Sequence, residues 1–158
     1  MFAIIFSMTM IMQPQESRED FAKRFFNEFS FEKLDSLNNF YAPEIEFVDP
    51  LGSHQGVESI RDYYANMYQN VKSIRFDFSN SFQNGDTVVL VWTMYCAHSA
   101  LNAGKEFSVD GMSYIRFDPK SGKAVYHRDY FDLGEMIYEN VPVLKTLIGF
   151  IKSRAANK

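Results

Sequence analysis

Cysteine is almost absent from this chain of 158 residues, and Cys96 is its single thiol. One cysteine cannot form an internal disulfide, and the three histidines are too scattered to form a Cys/His zinc motif with it. Eight glycines and five prolines are too few for a collagen-like or low-complexity chain. We therefore predict a globular domain without a metal site, in which Cys96 is a buried structural residue.

Positive charge is also scarce in this sequence. Sixteen Lys and Arg residues stand against 20 Asp and Glu residues, which gives a formal net charge of -4. No segment concentrates the basic residues into the stripe that a phosphate backbone requires, so nucleic acid is not an expected partner. Glycine-rich phosphate loops and the Gly-x-Ser-x-Gly nucleophile elbow are absent as well, and no cofactor is implied.

Apolar runs are short, and the most conspicuous one covers residues 1–12. Twelve residues cannot span a bilayer, and this run lacks the basic start and the small-residue cleavage site of a signal peptide. We interpret residues 1–16 as an apolar N-terminal extension and expect a cytoplasmic protein. Because Met8, Met10 and Met12 follow Met1, a start codon assigned too early is an alternative interpretation of this run.

Aromatic residues, in contrast, are abundant, with 16 Phe and 9 Tyr. Flat rings stack well but leave concave gaps, which favours an apolar pocket. Phe21, Phe25 and Phe29 recur every four residues after Ser17, a pattern typical of a capped helix over 17–29. A short helix capped by Ser30 and a third helix that starts at Val57 follow by the same spacing.

The second half of the chain, from Ser73 to Asp132, has the composition of β-strands. β-Branched and aromatic residues dominate it, and Asn84-Gly85 is a typical hairpin turn. Helices first and a strand meander afterwards predict an α+β fold, a curved antiparallel sheet packed against three N-terminal helices. We assign this domain to residues 17–132.

Residues 133–158 form a predicted C-terminal helical arm, which Pro142 divides into two pieces. We expect the arm to fold back on the domain as a packing segment or a lid. Its apolar spacing and basic end are also compatible with a membrane surface, which is the less expected alternative.

The predicted strand over 87–97 is apolar on both of its faces. We expect Val89 and Val91 to face the pocket. The other row is predicted to cover the outer face and to form a homodimer interface, and it comprises Val88, Leu90, Trp92 and Met94. Cover by the C-terminal segment is the alternative.

Two segments carry a resemblance to a known superfamily. Residues 40–52 read Phe-Tyr-Ala-Pro-Glu-Ile-Glu-Phe-Val-Asp-Pro-Leu-Gly, and they are followed by Gly56 and by Ile-Arg-Asp-Tyr-Tyr at 60–64. Residues 114–118 read Tyr-Ile-Arg-Phe-Asp before Gly122 and Lys123. In this order they resemble the nuclear transport factor 2-like superfamily, most closely its ketosteroid isomerases and SnoaL-like polyketide cyclases. The resemblance covers residues 17–132 and implies a cone with a deep apolar pocket.

The resemblance implies a role for Asp49, which matches the position of the catalytic base in ketosteroid isomerases. A carboxylate between Val48, Pro50 and Leu51 is poorly solvated, which suits proton transfer. The alternative is that Asp49 caps its own loop by accepting backbone N–H bonds.

The enolate-binding pair of those isomerases has no counterpart here. The position of their tyrosine falls on Phe25, and the position of their aspartic acid falls on Ser113. Phe25 cannot donate a hydrogen bond, and a serine hydroxyl is a weaker donor than a carboxylic acid. Steroid isomerisation by the usual route is therefore not expected.

The last predicted strand supplies the remaining candidates, because His127, Asp129 and Phe131 alternate onto one face. Asp129 resembles the acid/base aspartate of SnoaL-like cyclases, and His127 could share its proton. A hydrogen-bonded wall residue is the alternative for His127. A salt bridge to Arg116 or Arg128 is the alternative for Asp129.

Our leading hypothesis is a cofactor-free acid/base enzyme, of isomerase or cyclase type, that acts on a small hydrophobic carbonyl compound. Asp49 and Asp129 would share the base and acid roles, assisted by His127. Hydrolysis is less expected, because His127-x-Asp129 lacks the fixed cation of the Arg-x-Asp pair in related epoxide hydrolases. The alternative is a non-catalytic module for a small apolar ligand. The predicted ligand-binding residues are Phe25, Tyr64, Val89, Val91, Ser113 and Phe131.

Overall fold

The computed structural model describes residues 16–156. Within them three helices, with two strands between the second and the third, precede a meander of four strands. The predicted extension over residues 1–16 lies outside the described residues, except for Glu16. The five α-helices are α1 (Arg18–Glu28), α2 (Leu37–Phe40), α3 (Val57–Tyr68), α4 (Leu133–Met136) and α5 (Pro142–Ala156). The six strands are β1 (Tyr41–Asp49), β2 (Gly52–Gln55), β3 (Val71–Asn84), β4 (Thr87–His98), β5 (Glu106–Phe117) and β6 (Ala124–Phe131).

Helix α1 starts where the sequence predicts it. The Ser17 hydroxyl oxygen accepts the Asp20 N–H at 3.0 Å, which satisfies one free donor of the first turn. The phenylalanine repeat then faces inward, since Phe25 and Phe29 are both buried. Phe25 stacks on Phe40 of α2 with 4.3 Å between ring centroids. The aromatic face of α1 therefore joins the helices to the core.

The six strands form one curved, unclosed sheet in the order β2-β1-β6-β5-β4-β3. Every neighbouring pair is antiparallel except β1 and β6, which run parallel. The predicted α+β cone is confirmed, and the sheet is mixed where we expected it to be wholly antiparallel. The reason is topological, because the meander from β3 to β6 ends with β6 running in the direction of β1.

Strand β2 has no sequence signal of a strand. Its residues Gly52–Gln55 pair with β1, with Asp49 opposite Gly52. The segment is only four residues long and contains no apolar residue except glycine, so it lacks the alternation that indicates a strand.

The two rows of side chains on β4 lie on the opposite faces of the sheet from those that we predicted. Val88, Leu90, Trp92 and Met94 are buried on the inner face, with exposed fractions between 0% and 6%. Val89 and Val91 lie on the outer face and are only partly covered. The predicted dimer row is therefore part of the core, and Val89 and Val91 do not face the pocket. The pairing with β5 fixes this phase, since Leu90 lies opposite the buried Ser113.

The C-terminal arm contains α4, a short 3₁₀ turn over Tyr138–Asn140, and α5. No residue of α5 is buried, and Leu147 and Phe150 each expose 55% of their surface. The expected packing of the arm against the domain is therefore not present in α5. None of the helices within residues 16–156 has the length and apolar character needed to cross a membrane.

Candidate active site

A cavity of about 80 Å³ lies between the inner face of the sheet and helices α1 and α3. Its wall is mostly aromatic. The aromatic lining residues are Phe25, Phe26, Phe29, Phe47, Tyr63, Tyr64, Tyr68, Phe76, Phe78, Trp92 and Phe131. The polar lining residues besides tyrosine and tryptophan are Asp49, Ser113 and Asp129. This volume admits a compact organic molecule or a few waters.

Asp129 projects from β6 into this cavity and is held by two donors on one oxygen. The Ser113 hydroxyl donates to Asp129 Oδ1 at 2.5 Å, and His127 Nε2 lies 2.9 Å from the same oxygen. Within residues 16–156 the second oxygen, Oδ2, has no hydrogen-bond partner, and 17% of the side chain is exposed. Asp129 therefore combines a fixed orientation with one oxygen that is free to meet a ligand.

His127 lies behind Asp129 and is fully buried. Its Nδ1 is 2.7 Å from the hydroxyl oxygen of Tyr41, which is also buried. The network assigns a consistent set of protons to the neutral ring: Nε2–H donates to Asp129, and Nδ1 accepts the Tyr41 hydroxyl. Burial and the nearby Asp129 charge raise the pKa of Tyr41, so its hydroxyl remains a donor.

Ser113 connects Asp129 to the indole of Trp92. Trp92 Nε1–H donates to Ser113 Oγ at 2.9 Å, while the hydroxyl itself donates to Asp129. Ser113 thus uses its hydrogen on the carboxylate and is not a free donor for a substrate oxygen. Two chains of hydrogen bonds therefore end on Asp129. One runs from Trp92 through Ser113, and the other runs from Tyr41 through His127.

Asp49 lies on β1, the strand next to β6, one position beyond the pair Val48–Arg128, and its two oxygens are both engaged. Oδ1 accepts the backbone N–H groups of Leu51 at 2.8 Å and Gly52 at 2.9 Å. Oδ2 accepts the hydroxyl of Tyr63. The loop-capping interpretation is present in the structure, and the carboxylate lines the cavity as well.

Tyr63, Tyr64 and Tyr68 place three phenols on the cavity wall along one face of α3. Burial is the largest cause that raises the pKa of each, and the negative charge of Asp129 raises all three further. They therefore stay protonated around neutral pH and can donate hydrogen bonds.

Most of the predicted site residues come together in this cavity. Phe25, Tyr64, Ser113 and Phe131 line it, together with the two aspartates. His127 does not line it, although it holds Asp129 from behind. Val89 and Val91 are absent from the lining because they lie on the outer face.

The alternative salt bridges for Asp129 are not formed. The Arg116 guanidinium lies over the ring of Tyr126 at 5.3 Å, and that of Arg128 lies over Tyr130 at 4.9 Å. Both arginines alternate onto the face of the sheet opposite Asp129. Among the described residues, the partner of Asp129 that bears a titratable nitrogen is His127.

Sequence reasoning missed Tyr41, Tyr63, Tyr68 and Trp92. Tyr63 and Tyr68 could have been found, because they extend the apolar face of Ile60 and Tyr64 at helical spacing. Tyr41 carries no local signal. Its hydroxyl meets His127 only through the parallel pairing of β1 with β6, 86 residues apart in sequence.

Metal ligation has no site in the described part of the chain. Between residues 16 and 156, no three His, Cys, Asp or Glu side chains converge on one point. The aspartates of the cavity are instead surrounded by hydroxyl and N–H donors. Groups of this kind can transfer protons and form hydrogen bonds.

Solved structures with the same fold are numerous. A proposed SnoaL-like polyketide cyclase from Jannaschia sp. CCS1 is 15% identical with a TM-score of 0.68, over 82% of this chain and 97% of that one. Another from Shewanella denitrificans OS-217 is 19% identical with a TM-score of 0.65, over 75% and 93%. A hypothetical protein of ketosteroid isomerase-like fold from Catenulispora acidiphila DSM 44928, solved with trimethylamine, is 16% identical with a TM-score of 0.59, over 68% and 81%.

These identities, all below 25%, show a shared fold and no more. No curated protein sequence matches the chain. The SnoaL-like domain model matches residues 22–127, which include α1 from Ala22 onward, the six-stranded sheet up to His127 and the Asp49 loop. That match covers more than half of the sequence and agrees with the cone and its cavity. The chain belongs to the SnoaL-like domain family.

Proposed function

We propose that this protein catalyses cofactor-free proton transfer on a small hydrophobic carbonyl compound, as an isomerase or cyclase does. The observation that carries the proposal is the state of Asp129. Its Oδ1 is fixed by Ser113 and His127, and its Oδ2 has no partner within residues 16–156. A carboxylate held in this way on an apolar wall is suited to act as a general base.

In this proposal Asp129 Oδ2 takes a proton from the carbon next to the substrate carbonyl. The electron pair of the broken C–H bond moves to the carbonyl oxygen and forms an enolate. Asp129 then returns the proton to the same carbon or to a conjugated one. The product has the same atoms as the substrate, so the reaction needs no oxidant or co-substrate.

The enolate oxygen needs a donor in a dry site, and the phenols of α3 are the candidates. Tyr64 and Tyr68 line the cavity and stay protonated, because burial raises the pKa of each. The Tyr63 hydroxyl already donates to Asp49, so it is not a free donor for the enolate oxygen. Asp49 orients Tyr63 and its own loop in this proposal, where the sequence suggested a second acid/base group.

Solvent deuterium exchange tests the proposal without knowledge of the natural substrate. The protein is incubated in D₂O with a panel of small enolisable ketones and enones, and mass spectrometry follows deuterium at the α-carbon. We expect exchange with at least one compound, and Asp129→Asn should reduce it by about a hundredfold or more. The matched control is Asp110→Asn on the exposed face of β5, which should leave the rate unchanged.

No exchange with any compound, or equal exchange by Asp129→Asn, would contradict catalysis. A non-catalytic binding module is then the function that the pocket supports. A specific observation favours this second candidate, because the hydroxyl of Ser113 and both oxygens of Asp49 are already committed to protein partners. Mass spectrometry of a co-purified ligand, retained by Asp129→Asn without turnover, would identify such a module.

A further inference from the structure

The cavity wall has an unbalanced charge. Asp49 and Asp129 line it, and no Lys, Arg or His among the described residues does. The basic residues of the surrounding elements are engaged elsewhere: Arg18 pairs with Asp86, and Lys23 donates to Ser81. Every other lining residue is aromatic, aliphatic, Met or Ser.

Hydroxyl and N–H donors solvate these carboxylates, and no Lys or Arg among the described residues pairs with either of them. The donors to Asp49 are two backbone N–H groups and a phenol. Asp129 receives a serine hydroxyl and the Nε2 of His127. Hydrogen bonds lower the cost of burying a charge, but they leave its field in the cavity. The same field helps to raise the pKa of Tyr63, Tyr64 and Tyr68.

The aromatic wall also favours a cationic ligand. Ring faces carry the negative part of the aromatic quadrupole, and they attract organic cations within about 6 Å of the ring centroid. Rings approach the cavity from α1, α3 and the sheet, among them Phe29, Tyr64, Tyr68, Phe76 and Trp92. An anionic ligand would meet two carboxylates that repel it.

We propose that the cavity binds a small organic cation, an alkylammonium group whose carbon substituents contact the rings while its charge lies in the field of Asp49 and Asp129. The cationic ligand adds a substrate class to the proposed function. It rests on that function only in using the same cavity. Under proton-transfer catalysis the substrate is an amine-bearing carbonyl compound. In a binding module the amine is the ligand itself.

Three compounds of nearly equal shape test the charge preference. Choline carries a trimethylammonium group, 3,3-dimethylbutan-1-ol replaces its nitrogen with carbon, and 3,3-dimethylbutanoate is an anion of similar size. Titration calorimetry or ligand-observed NMR on the full chain gives the three affinities. We expect choline to bind about tenfold more tightly than the alcohol, and the anion to show no measurable binding.

Two variants connect the preference to the carboxylates. Asp129→Asn should weaken choline about tenfold and change the affinity for the alcohol less than about twofold. Asp49→Asn should weaken choline in the same direction, and Asp110→Asn on the outer face should have no effect. Because the alcohol still reports an intact cavity, a misfolded variant is recognised by the loss of both ligands.

The proposal is overturned if the alcohol binds as tightly as choline, if the anion binds, or if none of the three binds. It is also overturned if Asp129→Asn and Asp49→Asn both retain full choline affinity. These outcomes are independent of the deuterium exchange experiment. Any of these results, together with deuterium exchange on neutral ketones, would remove the cationic ligand and leave proton-transfer catalysis standing.

Discussion

Asp49 and Asp129 belong to one residue type on one cavity wall, yet their hydrogen bonds separate their roles. Asp49 completes a tight turn with its own backbone and holds a phenol. Asp129 is supported on one oxygen by side chains from β5 and β6, and it keeps the other oxygen open. Sequence alone identifies both as pocket residues, but the distribution of donors depends on the folded neighbours.

At the same scale, Tyr41→Phe tests the buried support behind Asp129. The substitution leaves His127 Nδ1 without the hydroxyl that lies 2.7 Å away, in a place that water does not reach. We expect the free energy of unfolding to fall by about 1–3 kcal/mol, the cost of an unsatisfied buried acceptor. Urea denaturation with an unchanged m-value measures it.

Tyr126→Phe is the matched control for that experiment, since the Tyr126 hydroxyl has no hydrogen-bond partner within residues 16–156 and points to the outer face. Its effect should stay within about 0.5 kcal/mol. Equal stabilities of the two variants would mean that the bond between Tyr41 and His127 does not support the site.

Gly111 is the residue on which the position of Trp92 depends. A Cβ at this position would lie 2.2 Å from Cη2 of the indole, which must then move. Gly111→Ala should cost about 1–3 kcal/mol of stability through overpacking. It should also change the emission of Trp92, the only tryptophan of the chain, because its bond to Ser113 is strained or lost.

Gly149→Ala controls for the added methyl group, because nothing lies within 4 Å of a Cβ in the exposed helix α5. In α5 the change should stabilise the helix by up to about 1 kcal/mol and leave the Trp92 emission unchanged. An unchanged emission spectrum in Gly111→Ala would contradict the contact between Trp92 and Gly111.

At the scale of elements, strand β4 marks the limit of sequence reasoning. Helix α1, the hairpin at Gly85 and the inward face of β6 follow from local patterns, and the structure has them. Strand β4 is apolar on both faces, so alternation cannot say which row is buried. Its neighbour β5 does alternate, with Asp110 and Arg116 exposed and Val109 and Ile115 buried, and hairpin pairing transfers that phase to β4.

The corrected phase moves the dimer proposal to a different set of side chains. We propose that two chains associate through the outer face of the sheet, where Val89 and Val91 lie beside the exposed Met112 and Tyr130. Light scattering at micromolar concentration should give the mass of two chains. Val91→Glu should give the mass of one chain with the Trp92 emission preserved, because a charge is costly in an apolar interface.

Leu147→Glu on the exposed face of α5 is the control for association through the arm. It should leave the mass of two chains unchanged. If this variant dissociates the dimer and Val91→Glu does not, the chains associate through the C-terminal helix and the outer face is not the interface.

At the scale of the whole molecule, the buried phenols determine how stability depends on pH. The pKa values of Tyr41, Tyr63, Tyr64 and Tyr68 are all raised in the folded protein, with burial as the first cause. Burial also raises the pKa of Cys96 to about 11. Above the ordinary values of these groups, the unfolded chain loses protons that the folded chain keeps.

Stability should therefore be complete at neutral pH and begin to fall above about pH 9, where the thiol of the unfolded chain ionises. It should fall more steeply above about pH 10, where the tyrosines of the unfolded chain ionise. The expected slope is about 1.4 kcal/mol per pH unit for each buried tyrosine. Urea denaturation between pH 8 and pH 11, with tyrosinate absorbance as a second signal, measures it. In Tyr68→Phe the free energy of unfolding should fall less steeply with pH, because one buried phenol is removed. Equal stability at pH 8 and pH 11 would contradict the burial of the phenols.

The parallel pairing of β1 with β6 has a consequence for the order in which the domain can form. Tyr41 pairs with Ala124, and the strand that carries His127 and Asp129 is the last of the sheet to leave the ribosome. Contacts of such high sequence separation are costly in loop-closure entropy and slow folding. The wall that carries Asp129 and the junction between β1 and β6 thus form in one late step, and a nascent chain that ends before residue 124 has neither.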